Sequence, residues 1–261
     1  MTNRDGTPIW YDLMTDAPEA AQDFYGAVMS WTFEAQDGAP GQDYRVVTAN
    51  DGEGVGGFMK MPDGANMHPI WQAYFGVPDV DAMAERVKSL GGSIHMDPQD
   101  IPGVGRFAYV ADPQGATFYL MRGDSDIDST AFAPQKAGHC SWNELVTSDQ
   151  KAALKFYSDL FGWEHGGAMP MGEMGHYTFL NHDGGTIGAV MDDFEKNAKP
   201  YWNFAMQVTD IDAAKDAVEQ SGGTVRMGPN ELPDNQGWLI QVTDPQGAKI
   251  MFTGPRISGA A

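Results

Sequence analysis

Two pairs of an aromatic and an acidic residue occupy equivalent places in the sequence and could do chemistry. Trp10 and Asp12 lie in the run "WYDL", and Trp142 and Glu144 lie in the run "WNEL". Residues two apart in a β-strand point to the same face, so each carboxyl group is expected beside its indole. A carboxylate desolvated against an indole has a raised pKa and could act as a general base. The alternative is a structural carboxylate that accepts hydrogen bonds from Trp N–H or Tyr O–H groups.

The histidines and the single cysteine form no recognisable motif. No two of the six histidines have the i,i+2 or i,i+4 spacing that presents two imidazoles together: His68, His95, His139, His165, His176 and His182. A metal site assembled from distant segments stays open, with Glu144 and either His176 or His182 as its ligands. Cys140 has no base beside it in the sequence, so we expect an inert, partly buried thiol.

Composition indicates a folded protein with an acidic surface. The 261 residues are 42% hydrophobic and 11% aromatic, enough for one large domain or two ordinary ones. The formal charge of −20 repels phosphate backbones and anionic lipids, so neither nucleic acid nor membrane is expected as a partner. One cysteine and no long apolar run predict a soluble, cytoplasmic protein.

The chain repeats itself at an offset of 131 to 133 residues. The pentapeptide DPQGA occurs at 112–116 and at 244–248, and "PIWQAYF" from Pro69 matches "PYWNFAM" from Pro200. We therefore predict two similar domains, residues 1–125 and 138–261, joined by a linker at 126–137. These are called the first repeat and the second repeat below.

Each repeat has two similar halves. Each half begins with an apolar strand and a helix, and short alternating runs follow. Asp79 and Asp210 are placed as helix N-caps, and DPQG suits a turn with Asp first and Pro second. The prediction is an α+β fold of four βαβββ modules.

Four such modules with paired Asp-Pro-Gln-Gly turns resemble the vicinal oxygen chelate superfamily of glyoxalase I, bleomycin-resistance proteins and extradiol dioxygenases. Two features resemble the tandem, glyoxalase-like members of this superfamily. One is the "W-x-[DE]-L-x-T" opening of each repeat, and the other is the run Phe156, Tyr157, Phe161, Gly162 and Trp163. The resemblance implies that two modules curve into an incomplete barrel of mixed sheet, with helices outside and a ligand inside.

The resemblance also implies where a metal would be bound. Metal-dependent members have a His or Glu on the opening strand of each half and a Glu on the last strand. Those positions correspond here to Trp10, Gln72 and Tyr119 in the first repeat, and to Trp142, Asn203 and Met251 in the second. None is a usual divalent-metal ligand, so we expect no metal and no other cofactor; a divalent metal at a displaced site is the alternative.

If the superfamily geometry holds, an apolar, aromatic cavity replaces the metal site. Its predicted ligand-binding residues are Trp10, Asp12, Gln72, Tyr74, Tyr119, Trp142, Glu144, Tyr177, Asn203 and Met251, and the weak catalytic candidates are Glu144 and Asp12. The two tryptophans could instead fill the barrel. Three Met residues in "GGAMPMGEMGHY", from Gly166 to Tyr177, cannot pack as a regular element and predict an adaptable flap or an irregular surface loop.

Three functions stay open. The first is binding of a small aromatic or amphipathic molecule without the usual metal centre, a cationic one being favoured by the acidic surface. The second is a metal-dependent lyase, isomerase or dioxygenase that uses Glu144, and the third is an interaction module in which the second repeat stabilises the first. A monomer with pseudo-dimeric domains and a homodimer are equally compatible with the sequence.

Overall fold

A computed structural model describes residues 4–37, 43–62, 64, 67–193 and 199–257. The first repeat contains β1 (Thr7–Thr15), α1 (Pro18–Met29), β2 (Thr32–Asp37), β3 (Asp43–Thr48), β4 (Gly54–Lys60), β5 (Ile70–Gly76), α2 (Val80–Ser89), β6 (Ser93–Ile101), β7 (Gly105–Ala111) and β8 (Thr117–Gly123). The second contains β9 (Cys140–Thr147), α3 (Gln150–Phe161), β10 (Glu164–Pro170), β11 (His176–His182), β12 (Gly185–Asp192), β13 (Tyr201–Gln207), α4 (Ile211–Gln220), β14 (Thr224–Glu231), β15 (Trp238–Thr243) and β16 (Lys249–Gly254). Short 3₁₀ turns lie at Gly172–Met174 and Pro233–Asn235.

The strands form two mixed sheets of eight strands each. Their orders are β2-β3-β4-β1-β5-β8-β7-β6 and β10-β11-β12-β9-β13-β16-β15-β14. In each module the opening strand pairs in parallel with the last strand, and the remaining pairs are antiparallel. Neither sheet closes into a barrel, and the predicted α+β fold of four βαβββ modules is confirmed.

The chain divides into two compact units that do not coincide with the two repeats. The first compact unit comprises Met1–Ile9, Gln72–Ser129 and Trp142–Asn203, and the second comprises Trp10–Trp71, Thr130–Ser141 and Phe204–Ala261. Each unit thus contains one half of each repeat. The domain boundaries inferred from the repeat stay a prediction.

The predicted N-caps are present. The Asp79 carboxylate accepts a hydrogen bond from the Ala82 N–H at 3.0 Å, and the Asp210 carboxylate accepts one from the Asp212 N–H at 3.1 Å. Both satisfy donors that the first helical turn leaves unpaired. No helix among the described residues is long and apolar enough to cross a bilayer.

The Asp of the first DPQGA turn connects the turn to a buried tyrosine in the first compact unit. One oxygen of Asp112 accepts the backbone N–H groups of Gln114, Gly115 and Ala116 at 2.8–2.9 Å. Its other oxygen accepts the Tyr157 hydroxyl at 3.2 Å, and that hydroxyl accepts the Trp202 indole N–H at 3.1 Å. Every polar atom of this buried chain therefore has a partner.

The second compact unit contains the same arrangement at its own DPQGA turn. Asp244 accepts the N–H groups of Gln246 and Ala248 through one oxygen and the Tyr25 hydroxyl, at 3.0 Å, through the other. The Trp71 indole N–H donates to Tyr25 at 2.9 Å. The repeated turn is thus explained, because each copy anchors a buried tyrosine, Tyr25 on α1 or Tyr157 on α3.

Candidate functional site

The opening strand of the first repeat supports a cluster of three hydrogen-bonded side chains in the second compact unit. Trp10 and Asp12 on β1 are joined by Tyr44 from β3, a residue that the sequence analysis did not select. The indole N–H of Trp10 donates to the Tyr44 oxygen at 2.8 Å, and the Tyr44 hydroxyl donates to Asp12 at 2.9 Å. Asp12 is fully buried, whereas the two rings are half-buried.

The second repeat has the same cluster in the first compact unit. The Trp142 indole N–H donates to the Tyr177 oxygen at 2.7 Å, and the Tyr177 hydroxyl donates to Glu144 at 2.9 Å. Glu144 is buried, and the rings of Trp142 and Tyr177 are half-buried. The prediction that each tryptophan shares a face with the acidic residue two positions on is confirmed, because one tyrosine reaches both.

The repeat itself contained a signal for the missed tyrosine. Tyr44 and Tyr177 are 133 residues apart, within the offset of the repeat, and each lies on the strand that leads into the last hairpin of its module. Aligning these strands as well as the opening strands would have placed Tyr44 in the site. We call the two groups the Trp–Tyr–carboxylate clusters, and each is identified below by its tryptophan.

Burial and charge fix the protonation of Tyr177. Burial raises the pKa of the Tyr177 hydroxyl well above its ordinary value, and the neighbouring Glu144 carboxylate raises it further. The hydrogen bond from Trp142 opposes this shift only in part. Tyr177 is therefore a neutral phenol at physiological pH, with its proton directed at Glu144 and one lone pair occupied by Trp142. What such a cluster offers a ligand is the faces of its two aromatic rings and the negative charge of its carboxylate.

We expect at least three of the nine tyrosines to resist ionisation at about pH 11 in the folded chain. Tyr25, Tyr157 and Tyr177 all have pKa values raised well above the ordinary value, chiefly by burial and then by a neighbouring carboxylate. The folded chain then retains protons that the unfolded chain loses, so stability declines as pH rises above about 10. Absorbance of tyrosinate, read before and after unfolding in guanidinium, counts the resistant groups. Tyr177→Phe should lower that count by one, and ionisation of all nine tyrosines in the folded chain would contradict the assignment.

Gln72 and Asn203 lie at equivalent positions on β5 and β13 and share an unusual feature. The Gln72 amide donates to the Thr117 hydroxyl at 2.9 Å, but its carbonyl oxygen is buried without a hydrogen-bond partner among the described residues. The side-chain oxygen of Asn203 is likewise buried without a hydrogen-bond partner among the described residues. A buried acceptor without a donor costs about 1–3 kcal/mol, so both amides are suited to accept a hydrogen bond from a bound molecule.

The remaining predicted residues lie on the second halves of the repeats. Tyr74 on β5 is in register with Tyr119 on β8, and their rings stack 4.2 Å apart at an angle of 8°. Both rings are buried, as is Met251 on β16, which is in register with Ala205. The structure therefore brings Tyr74 and Tyr119 together, whereas Met251 lies beside Ala205 and not beside an aromatic ring on the paired strand.

The residues suggested for a displaced metal site belong to no cluster of three or more metal-ligating side chains in the described part of the chain. Within the described residues, no three His, Cys, Asp or Glu side chains lie close enough to share an ion. The ring of His182 bonds the Thr7 hydroxyl at 3.0 Å, His176 is exposed, and Glu144 accepts the Tyr177 hydroxyl. Cys140 is fully buried, consistent with an inert thiol.

The prediction that the methionine segment cannot form a regular element was wrong. Met169 lies on β10 and pairs in register with Tyr177 on β11, and Met174 lies in the short 3₁₀ turn. A bulge between His165 and Ala168 accommodates the glycines, so the strand can bend and continue. The segment is therefore an edge hairpin beside Tyr177, and its three methionines are half-buried.

A cleft of about 380 Å³ lies elsewhere in the first compact unit. It is lined by Arg4, Asp5, Phe161, Gly162, Glu164, Asn181, His182, Asp183 and Gly184. No residue of the Trp142 cluster lines it. Its lining is polar and carries charges of both signs, which does not match the aromatic character of the clusters.

The fold of paired βαβββ modules is that of a tandem glyoxalase-like protein. The family model of the Glyoxalase/Bleomycin resistance protein/Dioxygenase superfamily matches residues 8–120 and again 136–252. The chain belongs to this superfamily, and the resemblance drawn from the sequence is confirmed.

Related proteins span nearly the whole chain. "Putative glyoxylase CFP32" of Mycobacterium tuberculosis is 33% identical over 97% of this chain and 96% of its own length. The "Anthracycline biosynthesis protein DauV" of Streptomyces sp. strain C5 is 30% identical over 93% of this chain and 91% of its own.

Solved structures share the fold at low identity. The Mn(II)-bound glyoxalase from Novosphingobium aromaticivorans superimposes with a TM-score of 0.67 at 16% identity, covering 97% of this chain and 83% of that one. The 2,2',3-trihydroxybiphenyl 1,2-dioxygenase of Sphingomonas wittichii superimposes with a TM-score of 0.66 at 14% identity, covering 96% and 90%. These likenesses concern the fold.

Proposed function

We propose that this protein binds a small, planar aromatic or amphipathic molecule at a Trp–Tyr–carboxylate cluster, without a divalent metal. The observation that carries the proposal is the duplicated cluster itself, in which a half-buried indole and phenol are held by a buried carboxylate. Hydrogen bonds fix both rings, so little conformational entropy is lost when a flat ligand stacks on them. Binding sites of this kind combine apolar walls with a few placed polar groups.

The polar groups indicate what the ligand should carry. The carboxylates and phenol oxygens of the clusters are all acceptors. A ligand with phenolic hydroxyl or amino donors complements them, and a cationic group would also be favoured by the net charge of −20. One relative is named as an anthracycline biosynthesis protein, and anthracyclines are planar, hydroxylated polycyclic molecules of this type.

The residues at the family's metal positions do not fit a divalent ion. Two are indoles that can only donate, two are amides with a single neutral oxygen, one is a phenol and one a thioether: Trp10, Trp142, Gln72, Asn203, Tyr119 and Met251. Hard divalent ions need several carboxylate, imidazole or water ligands around one point. We therefore derive no metal-dependent step for these positions.

Calorimetric titration of the full chain with an anthracycline, with and without EDTA, tests the proposal. The protein is purified without chelators or an immobilised-metal column, and its metal content is measured first. We expect saturable binding whose Kd changes less than about twofold in EDTA, since no contact involves an ion. Absence of binding to planar aromatic compounds would contradict the proposal. Binding that EDTA abolishes and a divalent metal restores would favour the metal-dependent alternative.

A further inference from the structure

The second halves of the two repeats present the same row of positions with different side chains. In the first repeat the row is Tyr74, Tyr119 and Tyr109, on β5, β8 and β7, and the three residues are in register across the strands. The whole row lies in the first compact unit, which also contains the Trp142 cluster. We call it the tyrosine row.

The tyrosine row is packed against itself. Tyr119 stacks on Tyr74 at a centroid distance of 4.2 Å and contacts Tyr109 at 4.6 Å, with ring planes 8° and 31° apart. The edge of His95 covers Tyr109 at 5.6 Å. The central ring is therefore occupied by its neighbours, and a flat ligand could stack on it only after displacing one of them.

The equivalent row of the second repeat contains no aromatic ring. Ala205 on β13, Met251 on β16 and Gln241 on β15 are in register. Gln241 precedes its DPQGA turn by three residues, as Tyr109 does, and Met251 follows the Asp of that turn by seven, as Tyr119 does. Ala205 and Met251 are buried and Gln241 is half-buried. We call this the open row.

The open row belongs to the compact unit that contains the other cluster. Ala205, Gln241 and Met251 all lie in the second compact unit, as do Trp10 and its partners. Each unit therefore combines one Trp–Tyr–carboxylate cluster with one row. The two clusters share the same hydrogen bonds, but Phe179 packs on both rings of the Trp142 cluster, and Gln72 and Asn203 also lie in the first compact unit. The row is the difference between the units that would act directly on the space for a flat ligand.

The side chains of the open row differ from those of the tyrosine row in both volume and chemistry. Three phenol rings are replaced by a methyl group, an unbranched thioether and an amide. A thioether adapts to the outline of a flat ring and makes favourable contacts with it, and an amide offers both a donor and an acceptor. The open row therefore has the composition of a ligand-contacting wall, whereas the tyrosine row has that of a filled core.

We propose that the open row determines ligand specificity, so that the second compact unit admits the aromatic ligand and the tyrosine row excludes it from the first. This inference rests on the proposed function and adds which of the two compact units binds the ligand. Met251 packs on the ring system, Gln241 hydrogen-bonds a ligand hydroxyl or carbonyl group, and Ala205 leaves room for the ring edge.

The test introduces the tyrosine row's residues into the open row of the full chain. Gln241→Tyr and Met251→Tyr are titrated with a fluorescent anthracycline beside wild type, and circular dichroism confirms that each variant is folded. We expect each substitution to weaken binding at least tenfold, because the added ring occupies the volume of the ligand. Gln241 is half-buried and tolerates a larger side chain, so this variant decides the test if Met251→Tyr fails to fold.

The matched control is Tyr109→Gln, the reverse exchange in the first repeat, which should leave Kd within about twofold. Wild-type affinity in folded Gln241→Tyr, or equal weakening in Tyr109→Gln, would overturn the inference. If wild type binds and Tyr44→Phe weakens binding while Gln241→Tyr does not, only the open row loses its role. Absence of binding by wild type would remove the proposed function and this inference together.

Discussion

Replacement of Asp112 by Ala is expected to lower the free energy of unfolding by roughly 3–5 kcal/mol. The substitution removes the acceptor of three backbone N–H groups in the turn and of the buried Tyr157 hydroxyl. The Ala116 N–H and the Tyr157 hydroxyl are buried donors, and each costs about 1–3 kcal/mol when left unpaired. The two costs act together because one side chain served both donors. Guanidinium unfolding followed by circular dichroism measures the loss.

Two further substitutions separate the causes. Asp124→Ala, at an exposed carboxylate just beyond β8, should change stability by less than about 0.5 kcal/mol. Tyr157→Phe removes one hydroxyl and retains the ring, so its cost should be about 1–2 kcal/mol. If Asp112→Ala were as stable as Asp124→Ala, the turn would not anchor the helix tyrosine as described.

The Asp112 carboxyl group also makes the stability of the fold depend on pH. Burial raises the pKa of Asp112 above its ordinary value, and the hydrogen bonds from the turn and Tyr157 oppose this only in part. Between the unfolded and folded pKa values the folded chain binds more protons, so this group makes the fold more stable as pH falls through that window. Asp112→Asn should remove that contribution while retaining an acceptor for the turn.

Replacement of Trp10 by Ala is expected to weaken binding of an anthracycline by about 30-fold, equivalent to about 2 kcal/mol. The indole supplies the stacking face of the cluster and holds Tyr44 through its N–H group. Tyr44→Phe retains a ring but removes the link to Asp12, and a smaller loss of about five- to tenfold is expected. Fluorescence titration of the folded variants gives both values.

The matched control for this prediction is Trp142, the equivalent tryptophan of the second repeat. Its cluster lies in the compact unit that contains the tyrosine row, so Trp142→Ala should leave affinity within about twofold. A loss confined to Trp142→Ala would keep the proposed function but place the ligand in the first compact unit, contrary to the role of the open row.

A second control is Trp238, another half-buried tryptophan of the second compact unit. The guanidinium of Arg256 lies 3.8 Å from the centre of its ring, so this indole already has a structural partner. Trp238 and Gln241 are three residues apart on β15, and strand alternation directs their side chains to opposite faces. Trp238→Ala should therefore leave affinity within about twofold, and a loss as large as that of Trp10→Ala would show that the response is not specific to the cluster.

Local patterns predicted the fold well because each depends on neighbouring residues. The repeat offset, the N-cap positions of Asp79 and Asp210 and the turn chemistry of DPQG are all readable within a few residues. The alternation that puts Trp142 and Glu144 on one face is also local, and it was correct.

The sequence did not predict which distant segments pair with each other. Asp112 and Tyr157 are 45 residues apart, and Tyr44 reaches Asp12 across 32. Alternation states which face a residue occupies but not which strand lies beside it. The methionine segment was misjudged for a related reason, since pairing with β11 holds Met169 in a strand despite the glycines around it.

The most direct test of the account follows the indole N–H signals of the seven tryptophans by NMR as an anthracycline is added to the ¹⁵N-labelled chain. We predict that the signal of Trp10 shifts saturably in the presence of EDTA, while the signals of Trp142 and of the buried Trp163 and Trp202 stay in place. If neither cluster tryptophan responds at saturating ligand, or if they respond only when a divalent metal is present, the proposed metal-free aromatic site does not exist.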